Sequence, residues 1–91
     1  MHVDYLSSYD RSFRKRPAPL QQRVIEAIDT LLDYFATGVR PHGLGLRRLQ
    51  GRYWEIRIGL SERVLFELGQ DRVTFIIVGN HDAIHRWLRS T

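Results

Sequence analysis

Arg57 and Arg63 carry the clearest chemical potential in this chain, because the segments that hold them read as the two strands of one hairpin. Trp54, Ile56 and Ile58 alternate with Tyr53, Glu55 and Arg57, and Val64, Phe66 and Leu68 alternate with Arg63, Leu65 and Glu67. Period two is the pattern of half-buried strands. Folding the pair about Gly59-Leu60-Ser61-Glu62 brings the two arginines close together on one exposed face. Like charges side by side destabilise a sheet unless an anion sits against them, so the pattern predicts a phosphate-binding surface. Farther along, His81 and His85 stand four apart and share a face of any helix that holds them. Imidazole gives or takes a proton near neutral pH. The same spacing suits a metal pair, but no glutamate follows His81 as in a zincin helix and the chain has no cysteine. No metal or cofactor is expected. Arginines on a strand also make an ordinary solvated face, and a histidine at a helix start is often only a cap; the residue types alone leave both readings open.

The elements that must position these groups follow from periodicity and punctuation. His2 to Ser7 alternates as a short strand, and Ser7 or Ser8 is placed to cap a brief helix through Lys15. Pro17 and Pro19 stop that helix, and Pro19 suits the first turn of the next. Leu20, Val24, Ile25, Ile28, Leu31, Leu32 and Phe35 then form one apolar stripe, opposite Gln21, Gln22, Glu26, Asp29 and Asp33, which predicts an amphipathic helix of about four turns. Gly38 and Pro41 end it. His42-Gly43-Leu44-Gly45-Leu46 reads as a flexible connector, followed by strands near 52–58 and 63–68. A third strand, Arg72 to Val78, ends in a continuous apolar run and should therefore be central and covered on both faces. Gly79-Asn80 breaks it before a short helix from His81 to Arg89. The order β-α-α-β-β-β predicts an α+β fold: an antiparallel sheet of about four strands with two N-terminal helices on one face. Trp54 belongs to the core by its alternation, and Trp87 and Leu88 pack on the sheet edge or lie under a partner.

Ninety-one residues support one domain, expected to span 1–91, near the lower end of what a core without staples holds together. No stretch is long and apolar enough for a bilayer, and the N-terminus lacks the basic-then-apolar order of a signal peptide. A soluble cytoplasmic protein is expected. Lys and Arg total 14 against 10 Asp and Glu, a net charge of +4, and Lys15 is the only lysine. Arginine's planar fork matches phosphate and stacks on bases, although a GC-rich genome gives the same ratio. The net charge favours an acidic partner, nucleic acid or protein.

The ordered set of segments resembles one family. Leu49-Gln50-Gly51 is followed by Trp54-Glu55-Ile56-Arg57-Ile58-Gly59, by Glu62-Arg63-Val64-Leu65-Phe66-Glu67-Leu68 and by Val78-Gly79-Asn80-His81-Asp82-Ala83-Ile84-His85. In order and spacing, along essentially the whole chain, this is similar to the RelE/ParE superfamily of small toxins from type II toxin–antitoxin pairs, and most similar to its RelE-like branch. The resemblance implies a cytoplasmic toxin held inactive by a cognate antitoxin protein, acting on mRNA at the ribosome as an endoribonuclease that needs no metal. The alternatives it leaves are a ParE-like inhibitor of DNA gyrase without catalysis and a degenerate member that only binds antitoxin.

By the same resemblance, Arg57 lies beside the scissile phosphate and Arg63 stabilises the pentavalent phosphorane. His81 stands at the general-acid position, and Glu55 where a proton acceptor is proposed. His85 replaces a tyrosine that stacks on a base, with Trp87 the other stacking candidate. Arg48, Arg52 and Tyr53, around the Leu49-Gln50-Gly51 step, are the candidates for further substrate contact. The chemistry is consistent with these residue types. RNA cleavage without metal needs a base for the 2′-hydroxyl, charge stabilisation on the phosphorane, and an acid for the departing 5′-oxygen. Arginine stays protonated and suits only the second task; His81 suits the third, and Glu55 or His85 the first. With its side chain on an exposed face, Arg63→Ala is expected to leave folding little affected.

Overall fold

A computed structural model describes residues 1–91. The elements are β1 (His2–Tyr5), α1 (Ser7–Arg14), α2 (Ala18–Thr37), β2 (Leu46–Gln50), β3 (Tyr53–Ile58), β4 (Glu62–Leu68), β5 (Arg72–Gly79) and α3 (His81–Arg89). The strands form one five-stranded sheet in the order β1-β5-β4-β3-β2. The α+β class, the two N-terminal helices and the terminal helix agree with expectation. The sheet, however, is mixed and has one strand more: β1 runs parallel to β5, and β2 starts at the last residue of what reads as a connector and fills the stretch before the strand expected near 52–58.

Period-two patterning sorts the strand residues onto two faces, and each face buries a different cluster. Ile56, Ile58, Val64, Phe66, Val73, Phe75 and Val78 meet Val24, Ile28 and Leu31 of α2. Leu65 and Ile76 meet Ile84 and Leu88 of α3 on the opposite side. The apolar run of β5 serves both clusters because the ladder shifts register between Leu65 and Phe66, so that Ile76 is a bulge and Ile77 still pairs with Leu65. β5 is central and covered on both faces, as its composition predicts.

Helix α2 is 20 residues long, so it exceeds four turns and spans about 30 Å. Pro19 lies in its first turn, and Gly38 ends it in the left-handed conformation at φ 75°, which glycine adopts without a Cβ penalty. Ile25 departs from the predicted stripe; it is exposed, since a step of one residue from Val24 turns it about 100° away from the sheet. No helix is long and apolar enough to cross a membrane.

Neither Ser7 nor Ser8 caps α1; the cap position is Leu6 and both serines are inside the helix. The reason lies in β5, whose outer edge has no strand beside it beyond Phe75. Ser8 Oγ donates to the Ile76 carbonyl at 2.6 Å, Val78 N donates to Ser12 Oγ at 2.9 Å, and Arg16 Nη2 donates to the Val78 carbonyl at 2.9 Å. Side chains of α1 and its exit thus replace a ladder partner, satisfying backbone groups that burial would otherwise penalise.

Tyr9 and Phe13 of α1 stack at 5.6 Å against the α2-side core. Burial, with Tyr5 and Asp10 adding to it, pushes the Tyr9 phenol up to about 12, and burial, then Asp29, raises Tyr5 as well. A raised native pKa means stability that is complete below the unfolded value and is lost as pH climbs through the native one. Absorbance at 295 nm should therefore show Tyr9 ionising near pH 12 in the folded protein and near about 10 after unfolding. Four tyrosines titrating together near the free value, with the fold intact, would contradict this packing.

Candidate active site

Hairpin register brings the two arginines together. Arg57 lies directly opposite Arg63, with the chain turning through three residues, Gly59 to Ser61, between Ile58 and Glu62. Gly59 holds φ at 65°, a left-handed conformation that favours glycine at this bend. The row continues into β5, where Gly79 pairs with Arg63. The sheet ends there: Asn80 accepts a hydrogen bond from Ala83 N at 2.9 Å and caps α3, making His81 the first helical residue. Glycine is required at 79, because a Cβ there would come within 2.8 Å of the Ala83 Cβ. The close approach of strand end and helix start leads the chain from the arginine row directly into the histidines.

His81 is exposed and His85 half-buried, and their rings lie 4.1 Å apart, as the four-residue spacing requires. His81 Nδ1 is 3.3 Å from Asp82 Oδ1. A proton on Nδ1 is thereby occupied with Asp82, and Nε2 is left for a substrate.

Glu55 is not an open carboxylate. It shares the face of Arg57 and Arg63, but only 1% of its side chain is exposed, and Oε2 accepts from Arg63 Nη1 at 2.9 Å. Arg63 is itself 14% exposed. The two are diagonal neighbours, since Glu55 pairs with Leu65, a separation long side chains bridge. Arg63 is therefore no free surface cation, contrary to the sequence reading. It is a partly buried group held by a buried acid, with Glu55 Oε1 and Arg63 Nε lacking any hydrogen-bond partner. Arg57 is exposed and makes no ion pair.

This arrangement of elements occurs in solved structures. The toxin–antitoxin complex of RelE and RelB from Methanococcus jannaschii contains a chain that superposes with TM-score 0.71 at 17% identity, covering 93% of this chain and 98% of that one. The YoeB/ParE toxin from Agrobacterium tumefaciens gives 0.64 at 20% identity over 89% and 99%, and YafQ from E. coli gives 0.61 at 13% over 90% and 94%. The chain has the fold of RelE. No protein-family model matches the sequence, and no curated protein matches it significantly.

Within the RelE-like fold, the three candidate substrate contacts lie away from the arginine row. Arg48 pairs with Trp54 and so shares the α2-side face; its Nε donates to the Gly51 carbonyl at 2.9 Å and ties down its own turn. Arg52 sits in that turn, five residues from Arg57, or about 16 Å along an extended strand. Tyr53 packs edge-on against Trp87, ring centroids 5.5 Å apart, in the α3-side cluster. That contact also places Trp87, which covers the sheet from α3. The residue missed is Arg47. It pairs with Glu55, is exposed, and lies on the same face as Arg57 and Arg63. Reading Leu46–Gln50 as a strand would have found it.

Proposed function

We infer that this chain is the toxin of a type II toxin–antitoxin pair and an endoribonuclease that cleaves mRNA, on the ribosome, and so arrests translation in the cytoplasm. The observation that carries the reading is the row Arg57–Arg63–Gly79, which runs straight into His81 and His85. The fold shared with RelE, YoeB/ParE and YafQ supports the toxin class, and the solved complexes of RelE with RelB and of YafQ with DinJ support an antitoxin partner. A net charge of +4 attracts an acidic segment of such a partner, and its association slows as salt rises.

Arg57, free of any carboxylate, binds the scissile phosphate. Arg63 is preorganised by Glu55 and turns its remaining donors to the equatorial oxygens as charge develops, which favours the transition state over the ground state. Glu55 thus acts as a positioning residue, and the buried carboxylate is not assigned the base. His85 takes the proton of the 2′-hydroxyl as the O2′–P bond forms, and His81 delivers a proton to O5′ as the P–O5′ bond breaks, leaving a 2′,3′-cyclic phosphate. Both protons are then accounted for by two imidazoles in contact, and no step calls on a metal.

Controlled induction tests the class of activity. Protein synthesis, followed by pulse labelling, should fall first, and primer extension on a cellular message should show new 5′ ends. Cessation of DNA synthesis first, with message intact, would assign the chain to gyrase inhibition. Growth unaffected by a folded, abundant product would mark it as a member that only binds antitoxin.

A further inference from the structure

Four of the seven large apolar side chains that stand exposed, Met1, Val3, Tyr5 and Leu6, lie along β1 and its two ends. Singly such residues need no explanation, but a contiguous row of them marks an interaction surface. β1 is also the end strand of the sheet. The N–H groups of His2 and Leu6 donate to the Asp71 and Phe75 carbonyls at 2.9 and 3.0 Å. Backbone direction alternates along a strand, so the N–H and C=O of Val3 and Tyr5 point away from β5, and no strand lies there to receive them.

In register with Val73 and Phe75, Val3 and Tyr5 present their side chains on the α2 side. There Met1 and Val3 join Leu32, Phe35 and Ala36 around an apolar cleft of about 410 Å³, with Asp71 the one polar residue lining it. The edge carries none of the usual guards: β1 holds no lysine, proline or bulge, and its one formal charge, Asp4, is paired with Arg72. An acidic segment or a nucleic acid would meet Asp4 and Asp71 here, and the neighbouring cation is already taken. A second copy of the chain fits instead. Antiparallel pairing of β1 with itself about a two-fold axis at Val3 sets Val3 against Val3, Tyr5 against Met1 and His2 against Asp4. Apolar residues then meet on the α2 side, and an imidazole meets a carboxylate on the other. Moving the axis to Asp4 would set two aspartates opposite each other, which a sheet disfavours.

We propose that β1 pairs with β1 of a second copy in the register centred on Val3, joining the two five-stranded sheets into one. Val3 of each copy exchanges both hydrogen bonds with its mate, and the apolar cleft of each lies beside Tyr5 of the other. The contact is isologous, so it closes as a dimer. It does not depend on the ribonuclease reading.

Sedimentation velocity from micromolar to millimolar concentration should show the parent protein passing from monomer to dimer. Val3→Pro removes the outward N–H and no bond within the chain, and proline is tolerated on an edge strand. Its circular dichroism should match the parent, and the dimer dissociation constant should rise at least about tenfold. Val3→Cys reports the register. The chain has no cysteine of its own, so oxidation can link only two copies. Opposed residues of a hydrogen-bonded pair stand about 5.5 Å apart at Cα, within the span of a disulfide. Val3→Cys should therefore form a covalent dimer faster than Leu60→Cys, an exposed control in the β3–β4 hairpin. In the dimer, the Val3 and Tyr5 amides should exchange slowly with solvent. A parent protein monomeric throughout, or a dimer that Val3→Pro leaves intact, would overturn the pairing. So would protection of those amides only when an antitoxin is added, which would give the edge to a strand of that partner. Should Val3→Pro fail to fold, the cysteine comparison decides: equal rates of linkage at positions 3 and 60 would overturn the proposal.

Discussion

Arg63→Ala should lower folding stability by about 3–5 kcal/mol, the usual effect of stripping the partner from a buried charge. The acid left behind is Glu55, with 1% of its side chain exposed and one oxygen already lacking a partner. For a chain of this length, total stability is about 5–14 kcal/mol, so the variant sits near its unfolding threshold. Loss of toxicity in Arg63→Ala would therefore say nothing by itself about catalysis. The informative protein is the double replacement Glu55→Leu with Arg63→Met, which removes both charges and fills their space. Swapping a buried pair for apolar groups is often neutral or stabilising, so the double variant should unfold at the denaturant concentration of the parent or above. It should nonetheless lose cleavage by about 10² or more, as happens when one preorganised donor to the transition state is removed. Equal unfolding midpoints for Arg63→Ala and the parent would mean that the ion pair contributes nothing to the fold. Full cleavage by a folded double variant would take Arg63 out of the mechanism.

Local signals made the hairpin legible. Alternation on both strands and a glycine at the bend sufficed to set Arg57 against Arg63, and Gly79-Asn80 marked the start of α3 because one residue permits the close approach and the next caps. Strand β2 escaped because Leu49 is a bulge: Leu46 faces α2 and Leu49 faces α3, so the apolar residues fall three apart and the alternation of a strand is lost. Orientation of β1 was beyond reach for another reason, since four residues specify a strand but not the direction in which it meets one seventy positions away. The burial of Glu55 is likewise non-local. Its alternation placed it correctly on the polar face, and nothing nearby in sequence signals that α3 crosses that face and that Arg63 folds over the carboxylate.

The ribonuclease reading depends most heavily on His81. His81→Ala should reduce single-turnover cleavage by about 10²–10⁴, the range for loss of a positioned acid, and leave RNA or ribosome binding nearly intact. A proton donor acts on the leaving oxygen and hardly at all on the bound substrate. Stability should not change, because the side chain is exposed and the cap that starts α3 is made by Asn80 and Ala83. The pH profile separates this residue from its neighbour. If His81 must enter the reaction protonated and His85 neutral, the parent protein loses activity at both ends of the range. His81→Ala should lose the alkaline limb and His85→Ala the acid one. Both limbs surviving in both variants would show that neither imidazole moves a proton in the rate-limiting step. The contact between the rings at 4.1 Å would then be packing alone, and Arg57 and Arg63 would remain as a phosphate-binding row with no proton chemistry beside it. Toxicity that persists undiminished in His81→Ala, with DNA synthesis halted and message whole, would match inhibition of gyrase by the same fold, for which no acid is needed.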